Sequence, residues 1–74
     1  MSITQTCEVI VNGEPRRVTE GLTVAGLLAE LGIDGGRVAV ELNREIVRQA
    51  AWGETRVLAG ARVEIVWFVG GGRG

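Results

Sequence analysis

The chain has no histidine, no tyrosine and no lysine, and it carries one cysteine, one proline and one serine. Without histidine, neither a Ser-His-Asp triad nor a Cys-His pair can be assembled. With Cys7 alone, no zinc site of Cys/His type can be built. Cys7 also cannot form an internal disulfide, so a reducing cytoplasm is the expected compartment. The nine acidic residues are scattered singly along the sequence. A carboxylate pair for acid–base chemistry is not excluded, but so small a domain has little room for a substrate pocket of ~300 Å3 or more. These absences point to a substrate or partner of enzymes, not an enzyme, with no catalytic residue, metal or bound cofactor of its own.

Charge of one sign is also missing in bulk. The formal net charge is −1 and no block of like charge occurs, so neither nucleic acid nor a membrane is an expected partner. No apolar run approaches the ~20 residues of a membrane span. Met1-Ser2-Ile3-Thr4-Gln5-Thr6 shows no basic start followed by an apolar stretch, so no signal peptide is expected. All eight basic residues are arginine. Codon usage accounts for this. An alternative is that an activated C-terminal acyl group must meet no amine on its own chain. In either case, self-conjugation through lysine is impossible.

What is present is enough for one small domain of 74 residues with 46% hydrophobic residues. Chains of this size bury only about 60–65% of their unfolded surface, so the core must be used well. Cys7-Glu8-Val9-Ile10-Val11 is β-rich and runs into Asn12-Gly13, the strongest short hairpin signal. Pro15 adds turn character, and Arg16 to Glu20 returns, giving a hairpin over 7–20. Thr23 is an N-cap, followed by Val24, Leu27, Leu28 and Leu31 on one helical face. Leu22 and Leu27 are placed for a hydrophobic staple. Gly32 stops the helix, which spans 24–31. Gly26 inside it suggests close approach to a sheet. Asp34-Gly35-Gly36 reads as a plain turn. Val38, Val40 and Leu42 alternate with polar or small residues as a half-buried strand. Asn43-Arg44 turns the chain into a short strand, 45–48. Residues 49–61 are irregular, with Trp52 and Leu58 as core anchors. The expected core is Val9, Val11, Val18, Leu27, Leu28, Leu31, Val40, Leu42, Leu58, Val63 and Ile65.

The last strand, 62–69, places Val63, Ile65 and Trp67 on one face and Arg62, Glu64, Val66 and Phe68 on the other. The charged face thus ends in Val66 and Phe68, beside Gly70-Gly71-Gly72-Arg73-Gly74. Glycine lacks a Cβ, so such an arm can enter a channel too narrow for other residues. Five residues reach about 17 Å at most. A frayed end is the plain reading of the arm, and folding of Phe68 over the sheet edge is the plain reading of that side chain. A docking surface beside a reactive terminus is the functional one.

The order hairpin, helix, strand, short strand, irregular stretch, strand and glycine arm defines an α+β chain with a mixed sheet of four to five strands and one main helix. It resembles the ubiquitin-like β-grasp sulfur carriers, in particular the carrier type of thiamine (thiazole) biosynthesis. The resemblance covers nearly the whole chain. It rests on Val11-Asn12-Gly13-Glu14-Pro15, Thr23-Val24 with Leu27 to Gly32, Val40-Glu41-Leu42-Asn43 with Ile46-Val47, and above all Val63 to Gly72. It implies a β-grasp domain over 1–69 and a flexible arm over 70–74. It implies partners: an adenylating enzyme of the ubiquitin-activating type that uses ATP and magnesium, a sulfur donor and a thiazole synthase. The terminal glycine would be adenylated and converted to a thiocarboxylate. Val66 and Phe68 would help dock the partner, and Cys7 would be structural.

Two departures stand out. The family's di-glycine end aligns with Gly71-Gly72, whereas this sequence continues with Arg73-Gly74. Trimming to Gly72 is expected, with Gly74 as the alternative working terminus and an inactive form as a third possibility. The turn before the last strand usually carries an acidic residue after its glycine, whereas Gly60 is followed by Ala61. That departure bears on turn stability. Rival readings are a carrier serving molybdopterin, cysteine or RNA thiolation, a protein modifier that forms isopeptide bonds, and an interaction module with an inert arm.

Overall fold

The computed structural model describes residues 5–68. The chain runs β1 (Thr6–Val11), β2 (Glu14–Thr19), α1 (Val24–Leu31), β3 (Val38–Leu42), β4 (Glu45–Val47) and β5 (Arg62–Trp67), with single 3-10 turns at Gly35–Arg37 and Gln49–Ala51. The five strands form one mixed sheet in the order β2-β1-β5-β3-β4. β1 and β5 are parallel neighbours at its centre, and every other pairing is antiparallel. This is the α+β fold with one main helix that the sequence predicts.

Local chemistry explains the turns. Asn12 and Gly13 both have positive φ, 51° and 84°, as a two-residue hairpin loop requires. Pro15 lies on edge strand β2 opposite Ile10, next to the closing pair Val11 and Glu14. That position bonds outward, so the missing N–H costs no rung. The Thr23 side chain accepts from the Gly26 N–H at 3.1 Å. Gly32 caps the far end at φ 74°. The first helical amides find partners in the segment that precedes β5: Val24 N–H donates to Thr55 C=O at 2.9 Å, and Ala25 N–H to Trp52 C=O at 3.1 Å. The irregular stretch therefore works as a cap on the helix.

The core holds Cys7, Val9, Val11, Val18, Val24, Leu27, Leu28, Val38, Val40, Trp52, Val57, Ala61, Val63 and Ile65. Leu31 and Leu42 pack only partly against it. Leu58 is a correction, because it is 68% exposed and Val57 takes its place inside. Arg56 bridges to Thr23 and Val57 N–H donates to Leu22 C=O at 2.8 Å. Those bonds turn Val57 inward and leave Leu58 on the rim of the next turn. A second correction concerns Gly26. A Cβ there would meet Leu22 Cδ2 at 3.1 Å, not the sheet. The Asp34-Gly35-Gly36 segment is more than a plain turn. Asp34 caps a 3-10 turn through Gly36 N–H at 2.9 Å, and Gly35 lies flat against the Trp52 ring.

Candidate functional site

β5 is the element that leads toward the glycine arm, and two asparagines grip it. Asn43 N–H donates to Arg62 C=O at 2.7 Å and its side-chain oxygen accepts from Arg62 N–H at 2.9 Å. Asn12 N–H donates to Val63 C=O at 2.9 Å. Its side chain then continues the ladder, accepting from Ile65 N–H at 2.7 Å and donating to Ile65 C=O at 3.1 Å. Both asparagines sit in hairpin loops at φ 51°. At the far end, Phe68 N–H donates to Arg37 C=O at 2.9 Å. The strand is thereby held as far as Ile65 on the β1 side and as far as Phe68 on the β3 side.

Alternation on β5 sorts its side chains. Val63 and Ile65 are buried. Trp67 shares their parity but is 51% exposed. β1 pairs with β5 only as far as Val63, so Trp67 lies beyond the last rung on that side. On the opposite, open face, Val66 and Phe68 are exposed. Register places Ala39 across from Val66, Glu41 across from Glu64, and Ile46 across from Glu41. Ile46 is the most exposed of the large apolar side chains among the described residues, at 75%. The functional weight of Asn12 and Asn43 beyond their turns had no signal in the sequence, because their partners are 53 and 19 residues away.

A cleft of about 220 Å3 lies between Phe68, Ile46, Val47 and Trp52. A second hollow of about 410 Å3 follows β4, more room than the chain length suggested. Its walls carry one carboxylate, Glu45, and one guanidinium, Arg48, and no nucleophile paired with a base. Among the described residues no cluster of three or more His, Cys, Asp or Glu side chains converges to hold a metal. No helix among the described residues is long and apolar enough to cross a membrane. Cys7 is a buried free thiol opposite Val18, as a structural residue should be. The predicted tail Gly70, Gly71 and Gly72, with the reactive terminus at Gly72 or alternatively Gly74, lies outside the described residues.

The ThiS family model matches residues 9–72. The crystal structure of the thiamine biosynthesis protein ThiS from Geobacter metallireducens superposes with a TM-score of 0.78 at 40% identity, covering 88% of this chain and 99% of that one. A thiazole synthase from Paramagnetospirillum magneticum is 45% identical over 65 residues, 88% of this chain. One from Magnetococcus marinus is 36% identical over 66 residues, 89% of this chain. The chain spans 20% of the length of each of these two synthases. An uncharacterized protein, ycf40, from Porphyra purpurea is 31% identical over 95% of this chain and 99% of its own length. A fold of five mixed strands on one helix, a gripped central strand and a match that runs to Gly72 agree: the chain belongs to the ThiS family of β-grasp sulfur carriers.

Proposed function

We propose that this chain carries sulfur as a thiocarboxylate at Gly72 and delivers it for assembly of the thiazole of thiamine. The observation that carries the reading is the family match, which stops at Gly72 and leaves Arg73-Gly74 outside it. Its neighbours support it too: β5 is held rigidly at Arg62 and Ile65 and leads into a run of glycines. In the proposed sequence, hydrolysis of the Gly72–Arg73 peptide bond first releases Arg73-Gly74; a Gly72 carboxylate oxygen then attacks the α-phosphorus of ATP, supplied with magnesium by an adenylating enzyme, and pyrophosphate leaves. A sulfur donor attacks the acyl carbon and AMP leaves with the bonding pair. With a persulfide donor, a second thiol then opens the acyl disulfide and releases the thiocarboxylate. This domain supplies none of those groups except the carboxylate. It supplies position, which can be worth several kcal/mol to a bimolecular step.

A thiazole synthase is the proposed acceptor. Segments similar to this chain occupy a fifth of two proteins named thiazole synthase, an arrangement that would keep carrier and acceptor together. The proposed setting is the cytoplasm, where the buried free thiol of Cys7 stays reduced.

The test compares chains ending at Gly72 and at Gly74 with the cognate adenylating enzyme, ATP and magnesium. Pyrophosphate release and intact mass after sulfur transfer are read. The expected result is turnover only for the chain ending at Gly72, with one oxygen replaced by sulfur. Equal turnover of both would move the working terminus to Gly74. Turnover of neither would overturn the carrier chemistry.

A further inference from the structure

We infer that the open face of the sheet takes an arginine of the adenylating enzyme, seated over Glu41 and Glu64 within an apolar frame. The inference rests on the carrier reading and adds to it the chemistry of the partner. Bonds at Arg37–Phe68 and Asn43–Arg62 fix which β3–β5 pairs exchange hydrogen bonds. By alternation, Ala39–Val66 and Glu41–Glu64 are both bonded pairs. Two carboxylates thus stand directly opposite one another on one face. Like charges in that relation destabilise a sheet. No ion pair among the described residues reaches either of them, although exposed Arg62 shares their face of β5. The ion pair among the described residues joins Arg37 to Asp34 and includes neither glutamate. Both glutamates are half-buried, so water screens them less than it screens a free surface charge.

The surroundings say what would relieve them. Ile46 flanks Glu41, while Ala39, Val66 and Phe68 continue the face toward the arm. Ile46, Val66 and Phe68 are 75%, 57% and 61% exposed. An apolar frame around two carboxylates suits a guanidinium. It is planar, weakly hydrated and able to fork its donors between two acceptors, whereas an ammonium is a strongly hydrated point charge. The frame also names the partner. Gly72 is four residues beyond Phe68, within about 14 Å along an extended chain. Whatever activates the Gly72 carboxylate must therefore come close to this face.

The experiment uses the chain ending at Gly72 with Glu41→Gln, Glu64→Gln and both together. Melting temperature is measured for the isolated domain. Affinity for the cognate adenylating enzyme and for the thiazole synthase is measured by calorimetry at low and high salt. The two readouts should move in opposite directions. The double variant melts at or above wild type, because the repulsion is gone, yet binds the adenylating enzyme about tenfold or more weakly with a flatter salt dependence. Unchanged affinity for that enzyme overturns the proposal. So does a loss confined to the synthase, which would assign the face to the acceptor instead. A lowered melting temperature alongside weaker binding shows a structural role and also overturns it. If wild type binds and is adenylated while the variants behave as wild type, only this surface is wrong. If wild type is not adenylated, the carrier reading falls with it.

Discussion

The Asn12 side chain and the Ile65 backbone share two hydrogen bonds, one in each direction, at 2.7 and 3.1 Å. The amide stands in for a peptide group and adds a rung to the parallel ladder where β1 has already turned away. Asn12→Gly keeps the positive φ of the turn and deletes that rung. We expect a loss of about 1–2 kcal/mol from two unmade bonds, read as a lower urea midpoint. A neutral or stabilising result would mean that the asparagine serves the turn alone.

Glu30 and Thr19 form a second tie, between the end of α1 and β2. The Glu30 carboxylate accepts from the Thr19 hydroxyl at 2.6 Å and from its N–H at 2.8 Å. Those bonds, the hydroxyl first, hold Glu30 below the usual glutamate value of 4.5. A lowered folded value means stability that is present above pH 4.5 and lost as pH falls through the folded value. Glu30→Gln should therefore lower stability slightly at neutral pH and flatten the acid limb of the profile below about pH 4.5, so that the two proteins converge at low pH. An unchanged acid limb would show that the tie carries no linkage.

Gly35 admits no side chain. A Cβ there would sit 2.8 Å from Trp52 Cζ3, and Trp52 is held by its indole N–H on Val47 C=O at 2.8 Å. Gly35→Ala should cost about 1–3 kcal/mol by overpacking. A shift in tryptophan fluorescence should accompany the loss and separate ring displacement from a change in loop entropy.

Phe68 is 61% exposed, so its removal should leave the fold nearly intact. Phe68→Ala should change stability by less than about 0.5 kcal/mol while weakening binding to the adenylating enzyme several-fold. Equal affinity with both proteins folded would remove Phe68 from the docking face.

The helix and the hairpins were legible because their signals are local. Thr23, Gly32 and the apolar spacing between them fix α1 at Val24–Leu31, and Asn12-Gly13 fixes the first turn. The side of the sheet on which each residue of β5 falls was legible from alternation. Exposure was not, since Trp67 shares its parity with Ile65 and differs only in lying past the end of β1. Leu58 misled for a similar reason. Only the bridge from Arg56 to Thr23 shows that Val57 and not Leu58 turns inward. At the site, Val66 and Phe68 could be read from one strand. Their companions Ile46 and Ala39, and the opposed carboxylates, needed the register of three strands.

The central position of β5 also sets an order in time. During synthesis, β1–β2 and β3–β4 emerge first, as two hairpins with a strand-wide gap between them. Neither can bury its apolar face until the last strand leaves the ribosome and closes 50 residues of intervening chain, a slow step by contact-order arguments. The strand that completes the core is the one that leads directly to the glycine arm. A chain with β5 in place has therefore already assembled its sheet, and on the proposed reading an enzyme docking on the open face would meet that face only in a folded protein.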